Sequence, residues 1–185
     1  MTIPISAYLN IYVKAGLNVI PLKERGKIPV VKEWRPLVEQ PLAINELNNI
    51  YRENPKLNIG IIMGANSGGL VVIDIDHSPP EELVFLIAQN PTVAVQTGRG
   101  RHYYYRSKQR LPNLKFDWGE LRAKNLYVVA PPSVHPSGME YRFLDNCGLD
   151  QISKIPDELI KYLTATSKKA AKKDGVVRLN NKTGG

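Results

Sequence analysis

Only one cysteine, Cys147, stands in the 185 residues. A lone thiol makes no internal disulfide, so a disulfide-stapled scaffold is excluded, and no zinc site built on cysteine is expected. Long hydrophobic runs are missing too. No stretch approaches the ~20 apolar residues that cross a bilayer, so no membrane partner is expected. Met1 to Tyr8 carries neither a basic n-region nor an apolar h-region, so no secretory signal is expected there. Internal repeats and low-complexity segments are absent before the C-terminal tail. With 43% hydrophobic residues, the chain reads as globular rather than disordered. A cytoplasmic protein is the expectation. A chain of this length buries about two-thirds of its unfolded surface, which suffices for a core without staples.

Acid is scarce in two places. The chain has 25 Lys and Arg against 17 Asp and Glu, a net charge of +8. Residues 166–185 hold Lys168, Lys169, Lys172, Lys173, Arg178 and Lys182 against Asp174 alone, a local net of +5. The rest of the chain therefore carries only +3. The tail has no steady apolar period and ends in two glycines. A folded domain over 1–165 and a basic flexible tail or linker over 166–185 are expected. The tail reads equally as a solubilising segment or as an arm for nucleic acid.

The second acid-free stretch lies between Glu82 and Asp117. It contains Arg99, Arg101, Arg106, Lys108, Arg110 and Lys115, with Tyr103, Tyr104 and Tyr105 among them. Cations interleaved with aromatics suit a phosphate backbone and stacked bases. A solvated strand with a tyrosine-rich face has the same composition.

Periodicity and turn residues divide the domain. Helices are predicted over Ser6–Ala15, over Leu42–Arg52, from Pro79 to Asn90, and over Pro156–Leu163. Proline and two acids (Pro79, Pro80, Glu81, Glu82) suit a helical first turn. Strands are predicted over Leu17–Leu22, Asn58–Met63, Gly69–Asp76, Val93–Thr97, His102–Ser107, Leu126–Ala130 and Glu140–Leu144. Strands outnumber helices and alternate with them, so the class is α/β or α+β with a central sheet.

Gly69-Leu-Val-Val-Ile-Asp-Ile-Asp76 is the sharpest chemical feature. Period-two alternation places Asp74 and Asp76 on one face, roughly 6.5–7 Å apart. Adjacent carboxylates at the end of an apolar strand repel each other unless a cation offsets them. Oxygen-only ligands suit Mg²⁺ or Mn²⁺; acids that simply face water satisfy the same pattern. Thr97-Gly-Arg-Gly-Arg-His102 follows. Its glycines let backbone amides approach an anion and its arginines add charge, although a tight hairpin has the same sequence. Glu120 is a candidate third carboxylate, with Asp117 as its rival, and Arg122 a candidate for balancing it or holding phosphate. His135, in a proline-rich turn, reads as structural. The P-loop lysine, the Gly-x-Ser-x-Gly elbow and His-Glu-x-x-His are all missing.

The order of these segments resembles the bifunctional DNA primase/polymerase (Prim-Pol) family of the archaeo-eukaryotic primase superfamily. The likeness runs through Gly16-Leu-Asn-Val-Ile-Pro-Leu22, Gly26-Lys-Ile-Pro29 with Trp34, and Asn58-Ile-Gly-Ile-Ile-Met-Gly64. It continues through Gly69 to Asp76, Thr97 to Tyr105, Glu120-Leu-Arg122 and Tyr127-Val-Val-Ala-Pro-Pro-Ser133. It covers nearly all of residues 8–165, and the ordered set is far more specific than any single motif. Three positions depart from the pattern. Gly100 stands where the family often has Ser, Ala123-Lys-Asn-Leu126 replaces a glycine-rich turn, and Glu120 stands for the usual aspartate.

The resemblance implies an RRM-like catalytic lobe with a mixed central sheet, packed with a smaller α/β lobe. It implies a template-dependent nucleotidyltransferase, a DNA primase and DNA polymerase, acting in replication of a plasmid, virus or mobile element. Asp74, Asp76 and Glu120 would be catalytic and would hold two Mg²⁺ or Mn²⁺ ions. His102, with Arg101, Arg122 and Lys27, would bind the nucleotide. Arg99, Arg106, Lys108 and Arg110 would contact nucleic acid. The implied partners are a single-stranded DNA template and primer, dNTP or NTP substrates, and a helicase domain or subunit. Two other readings stay open on the residues alone: a non-catalytic single-strand-binding module of this fold, and a metal-dependent nucleotide-sugar transferase.

Overall fold

A computed structural model describes residues 3–144 and 148–167 of the chain. Cys147 and the basic segment from Lys168 onward lie outside them. Among the described residues there are four helices: α1 (Ile5–Lys14), α2 (Ile44–Glu53), α3 (Glu81–Gln89) and α4 (157–167). They accompany nine strands: β1 (Asn18–Leu22), β2 (Asn58–Ile62), β3 (Leu70–Ile75), β4 (Ala94–Gln96), β5 (Arg101–Arg106), β6 (Leu114–Phe116), β7 (Gly119–Arg122), β8 (Tyr127–Ala130) and β9 (Arg142–Leu144). No helix among the described residues is long and apolar enough to cross a membrane.

The strands form two sheets. The smaller has the order β1-β2-β8 and the larger β6-β7-β3-β5-β4-β9. Every ladder in both is antiparallel. This is narrower than the mixed sheet expected, and the reason is local: β4 joins β5, and β6 joins β7, by turns too short for a parallel crossover. Helix α3 connects β3 to β4, and β5 inserts between those two strands. That is a split β-α-β arrangement, the topology of an RRM-like lobe.

Strand β3 is apolar on both faces because both are covered. Leu70 and Val72 face a core shared with Ile20, Leu22, Ile59 and Ile61 of the small sheet and with Leu9, Tyr12, Leu47 and Tyr51 of α1 and α2. Val71, Ile73 and Ile75 face a second core, with Leu83 and Ile87 of α3 and Leu159 and Leu163 of α4. Each helix buries a pair at i, i+3 (α1) or i, i+4 (α2, α3 and α4), one apolar stripe against the sheet. Asp74 is the one carboxylate in this strand, and alternation turns it toward the small-sheet side.

The β6–β7 hairpin was not anticipated. Its strands are three and four residues long, too short for a periodicity window to register. In the structure Gly119, Leu121 and Ala123 are buried while Glu120 and Arg122 alternate with them half-exposed. Strand β3 ends at Ile75, one residue short of the predicted end at Asp76.

Candidate active site

Register sets up the site. Asp74 pairs with His102 across β5 and with Glu120 across β7. The three side chains therefore form a row on one sheet face, and Arg122 joins from two positions along β7. Two glycines allow the strands to close on β3 here. A Cβ at Gly100 or Gly119 would collide with the carbonyl oxygen of Ile75 or Asp74, and Gly119 holds φ at +155°. Gly100 thus explains one departure from the family pattern: this backbone has no room for serine's Cβ.

Asp74 is only 6% exposed. Its Oδ1 lies 3.4 Å from Nε2 of His102, and its Oδ2 lies 3.2 Å from Nε of Arg122. The same Nε is 3.5 Å from Oε2 of Glu120. Burial works to raise the Asp74 pKa. The hydrogen bond and charge of His102, then the charges of Arg122 and Lys27, overturn that and hold the carboxyl below its ordinary value. Asp74 is thus a buried anion stabilised by the His102 imidazole and by the cations Arg122 and Lys27.

The polar groups are not fully satisfied among themselves. Nδ1 of His102, Nε of Arg122 and the hydroxyl of Tyr104 are buried with no hydrogen-bond partner among the described residues. For Arg122 this stands beside its short carboxylate distances: the charges are close, but the N–H is not aligned for a hydrogen bond. Unpartnered groups of this kind are costly and mark a place built for something further.

A cavity of about 400 Å³ is lined by Asp74, His102 and Arg122, with Glu120 just outside its lining. The small-sheet lobe supplies Lys27, Trp34 and Tyr127 to it, and Tyr141 comes from the chain before β9. The rings of Trp34 and Tyr127 meet edge to face at 5.1 Å, and the Tyr127 hydroxyl donates to the carbonyl of Lys27 at 2.9 Å. The site thus lies in the cleft between the two sheets. Sequence reasoning passed over Tyr141. Burial, then the negative charges of Asp74 and Asp76, push its phenol up to about 12; Asp76 itself lines the cavity on the helix face and not this one.

The remaining expected residues divide. Asp76 stands just past β3 and is exposed. No group of three or more His, Cys, Asp or Glu side chains among the described residues is gathered tightly enough to enclose a cation. In donor type the acids nonetheless fit a hard divalent ion. Asp74 and Glu120 face each other across neighbouring strands, Asp76 stands two residues on, and all three offer only oxygen. Arg122 occupies the space between the first two.

Arg101 is not with His102. Alternation along β5 turns it to the helix face, where it lines a larger cavity of about 760 Å³ with Tyr103, Val84 and Asp76. Arg99 is exposed beside it. The amides of Arg99 and Gly100 do not form the expected anion cradle, because both donate to the Thr97 hydroxyl, at 3.3 and 2.9 Å. Arg106 is spent on structure: its guanidinium donates to the carbonyls of Ser67, Gly68 and Ala15 at 2.9, 3.1 and 2.7 Å. Lys108 and Arg110 are exposed at the far end of β5, along a separate groove. The acid-free stretch is therefore not one continuous basic track.

A search of curated proteins found no match. The family model for the bifunctional DNA primase/polymerase, N-terminal domain, matches residues 10–158. That span takes in both sheets, the three carboxylates and the cleft between them, and the chain belongs to the Prim-Pol family, whose chemistry is nucleotidyl transfer of the DNA primase/polymerase type.

Proposed function

We propose that this domain is a template-dependent DNA primase and polymerase. It would join a nucleoside triphosphate to the 3′-hydroxyl of a primer, or to a first nucleotide, on single-stranded DNA. The observation that carries the reading is the row Glu120–Asp74–His102, of which Asp74 and His102 line a cleft that also holds Lys27 and two aromatic rings.

Asp74, Asp76 and Glu120 would hold two divalent ions, Mg²⁺ or Mn²⁺. When bound, these supply Lewis-acid stabilisation of the attacking and leaving oxygens. The protein's own residues do the positioning on which phosphoryl transfer depends. His102 orients the Asp74 carboxylate through Nε2. Arg122 balances Asp74 and Glu120 and is held by a hydrogen bond from its Nη1 to the carbonyl of Tyr127 at 3.1 Å, so it would serve as a fixed positive charge beside the incoming phosphates. Lys27 meets the triphosphate from the opposite wall. Trp34 and Tyr127 give the base an apolar surface and exclude water from the reacting phosphate. The primer oxygen bonds to the α-phosphorus, the bond to the β-phosphate oxygen breaks, pyrophosphate leaves, and the hydroxyl proton passes to solvent. Lys108 and Arg110, along their own groove, would meet the DNA backbone without reading sequence. The biological setting would be replication of a plasmid, virus or mobile element, with a helicase domain or subunit as partner.

Primer extension and dinucleotide synthesis with each metal test this. Asp74→Ala and Glu120→Ala are expected to lower the rate by about a hundredfold or more, with single-strand affinity within about twofold of the parent. Extension at the parental rate by either variant rejects the assignment. A parent that binds DNA strongly but incorporates nothing with either metal identifies a strand-binding module instead.

A further inference from the structure

We infer that His135, Lys27 and Arg99 form one phosphate-binding corner at the mouth of the cleft, which takes the terminal phosphates of the nucleoside triphosphate. The inference rests on the nucleotidyl-transfer reading and adds to it a residue, His135, that reads from sequence as structural.

Three loops from distant parts of the chain meet at this corner, and buried contacts fix them together. Asn58 is 2% exposed. Its amide donates to the carbonyls of Gly26 and Val134 at 2.9 and 2.8 Å, and its Oδ1 accepts from the amide of Val134 at 2.9 Å. One buried side chain thus ties the neighbour of Lys27 to the neighbour of His135. On the third side, Gly98 lies flat against the His135 ring. A Cβ there would come 2.6 Å from both Nδ1 and Cδ2 of the imidazole, so only glycine lets the turn carrying Arg99 approach. Arg25 reaches the same turn as His135, its Nη2 lying 3.2 Å from where a Cβ on Gly138 would stand.

The chemistry at the corner is that of an anion site. Salt bridges among the described residues involve only His102, Asp74, Arg122 and Glu120, so Lys27, Arg99 and Arg25 are not neutralised by a carboxylate. The His135 Nδ1 accepts from the amide of Ser137 at 3.1 Å and lies 2.8 Å from the Ser137 hydroxyl. That places the ring proton of the neutral imidazole on Nε2, as a donor. Burial, then Lys27 and Arg99, hold His135 below the usual imidazole range, so at neutral pH it donates without adding charge to an already cationic corner. The corner is continuous with the site: Lys27 lines the Asp74 cavity, and the Tyr141 ring lies between His102 and His135, 6.2 Å from each.

Inorganic tripolyphosphate, titrated calorimetrically into the metal-free full chain, is the direct probe. His135→Ala, His135→Gln and Arg99→Ala are each expected to weaken its binding about fivefold or more. Both His135 variants should raise KM for the nucleotide by a similar factor, with kcat and single-strand DNA affinity within about twofold of the parent. Tripolyphosphate affinity unchanged in a His135 variant that melts at the parental temperature overturns the inference. DNA affinity lost with tripolyphosphate binding intact also overturns it, and moves the corner to the strand. If the alanine variant does not fold, the glutamine variant decides. A parent that extends primers, with His135 variants that bind and turn over normally, removes the corner alone. A parent that binds tripolyphosphate through His135 but never extends a primer removes the polymerase reading and leaves the corner standing.

Discussion

Asp74 is kept ionised in spite of its burial, and that arrangement has a sign in pH. The unfolded carboxyl titrates near 3.8, while the folded one titrates lower. Between the two values the unfolded chain binds more protons, so acid favours unfolding. The stability tied to Asp74 is complete at neutral pH and is lost as pH falls from about 3.8 through the folded value. Asp74→Asn is accordingly expected to flatten the acid limb of melting temperature against pH for the metal-free chain. A limb superimposable on the parent's contradicts the electrostatic account. Residue identity alone does not reveal such roles. Arg106 and Arg99 are the same amino acid in the same basic stretch, yet one is consumed by three carbonyls and the other stands free.

At the scale of elements, the site is a product of register. Three strands from separate parts of the chain place His102, Asp74 and Glu120 opposite one another only if β5 and β7 pair with β3 as they do; a slip of one residue would turn each side chain to the other face. The Asp-x-Asp strand was readable from its apolar run. So was the β5 strand after its glycine turn. The β7 strand, which delivers Glu120 and Arg122, was not readable as a strand, because its four residues gain their structure from pairing with β3 rather than from propensity. Gly100 offers the test at this scale. Gly100→Ser, which brings the sequence nearer the family pattern, is expected to destabilise the chain by about 1–3 kcal/mol through overpacking against the Ile75 carbonyl. A denaturation midpoint equal to the parent's shows that β5 yields at that point.

At the scale of the whole molecule, the cleft exists because the two sheets share a core. Leu70 is fully buried where the large sheet meets the small one. Leu70→Ala removes packing from both lobes at once. Its expected cost is about 2–5 kcal/mol, read as one shifted transition by both near-ultraviolet and far-ultraviolet circular dichroism. Two separated transitions in the parent or the variant are the contrary result: lobes that unfold independently. Asn58 and Ser133 reinforce the small lobe, pinning the loops at 26 and 134 to β2.

Local pattern in the chain set the class and the order of the longer elements, though not the β6–β7 hairpin, because apolar periodicity, glycine turns and ordered motifs are local properties of the chain. Tertiary structure alone decided which charges share a space. Arg101 leaves His102 because neighbouring strand residues face opposite ways, and Arg106 is withdrawn into carbonyl contacts. His135, which looks structural in a proline-rich turn, comes to stand beside Lys27 and Arg99 because a buried asparagine and a glycine bring three distant loops together. Such proximity depends on register and packing across long separations, which no local pattern encodes.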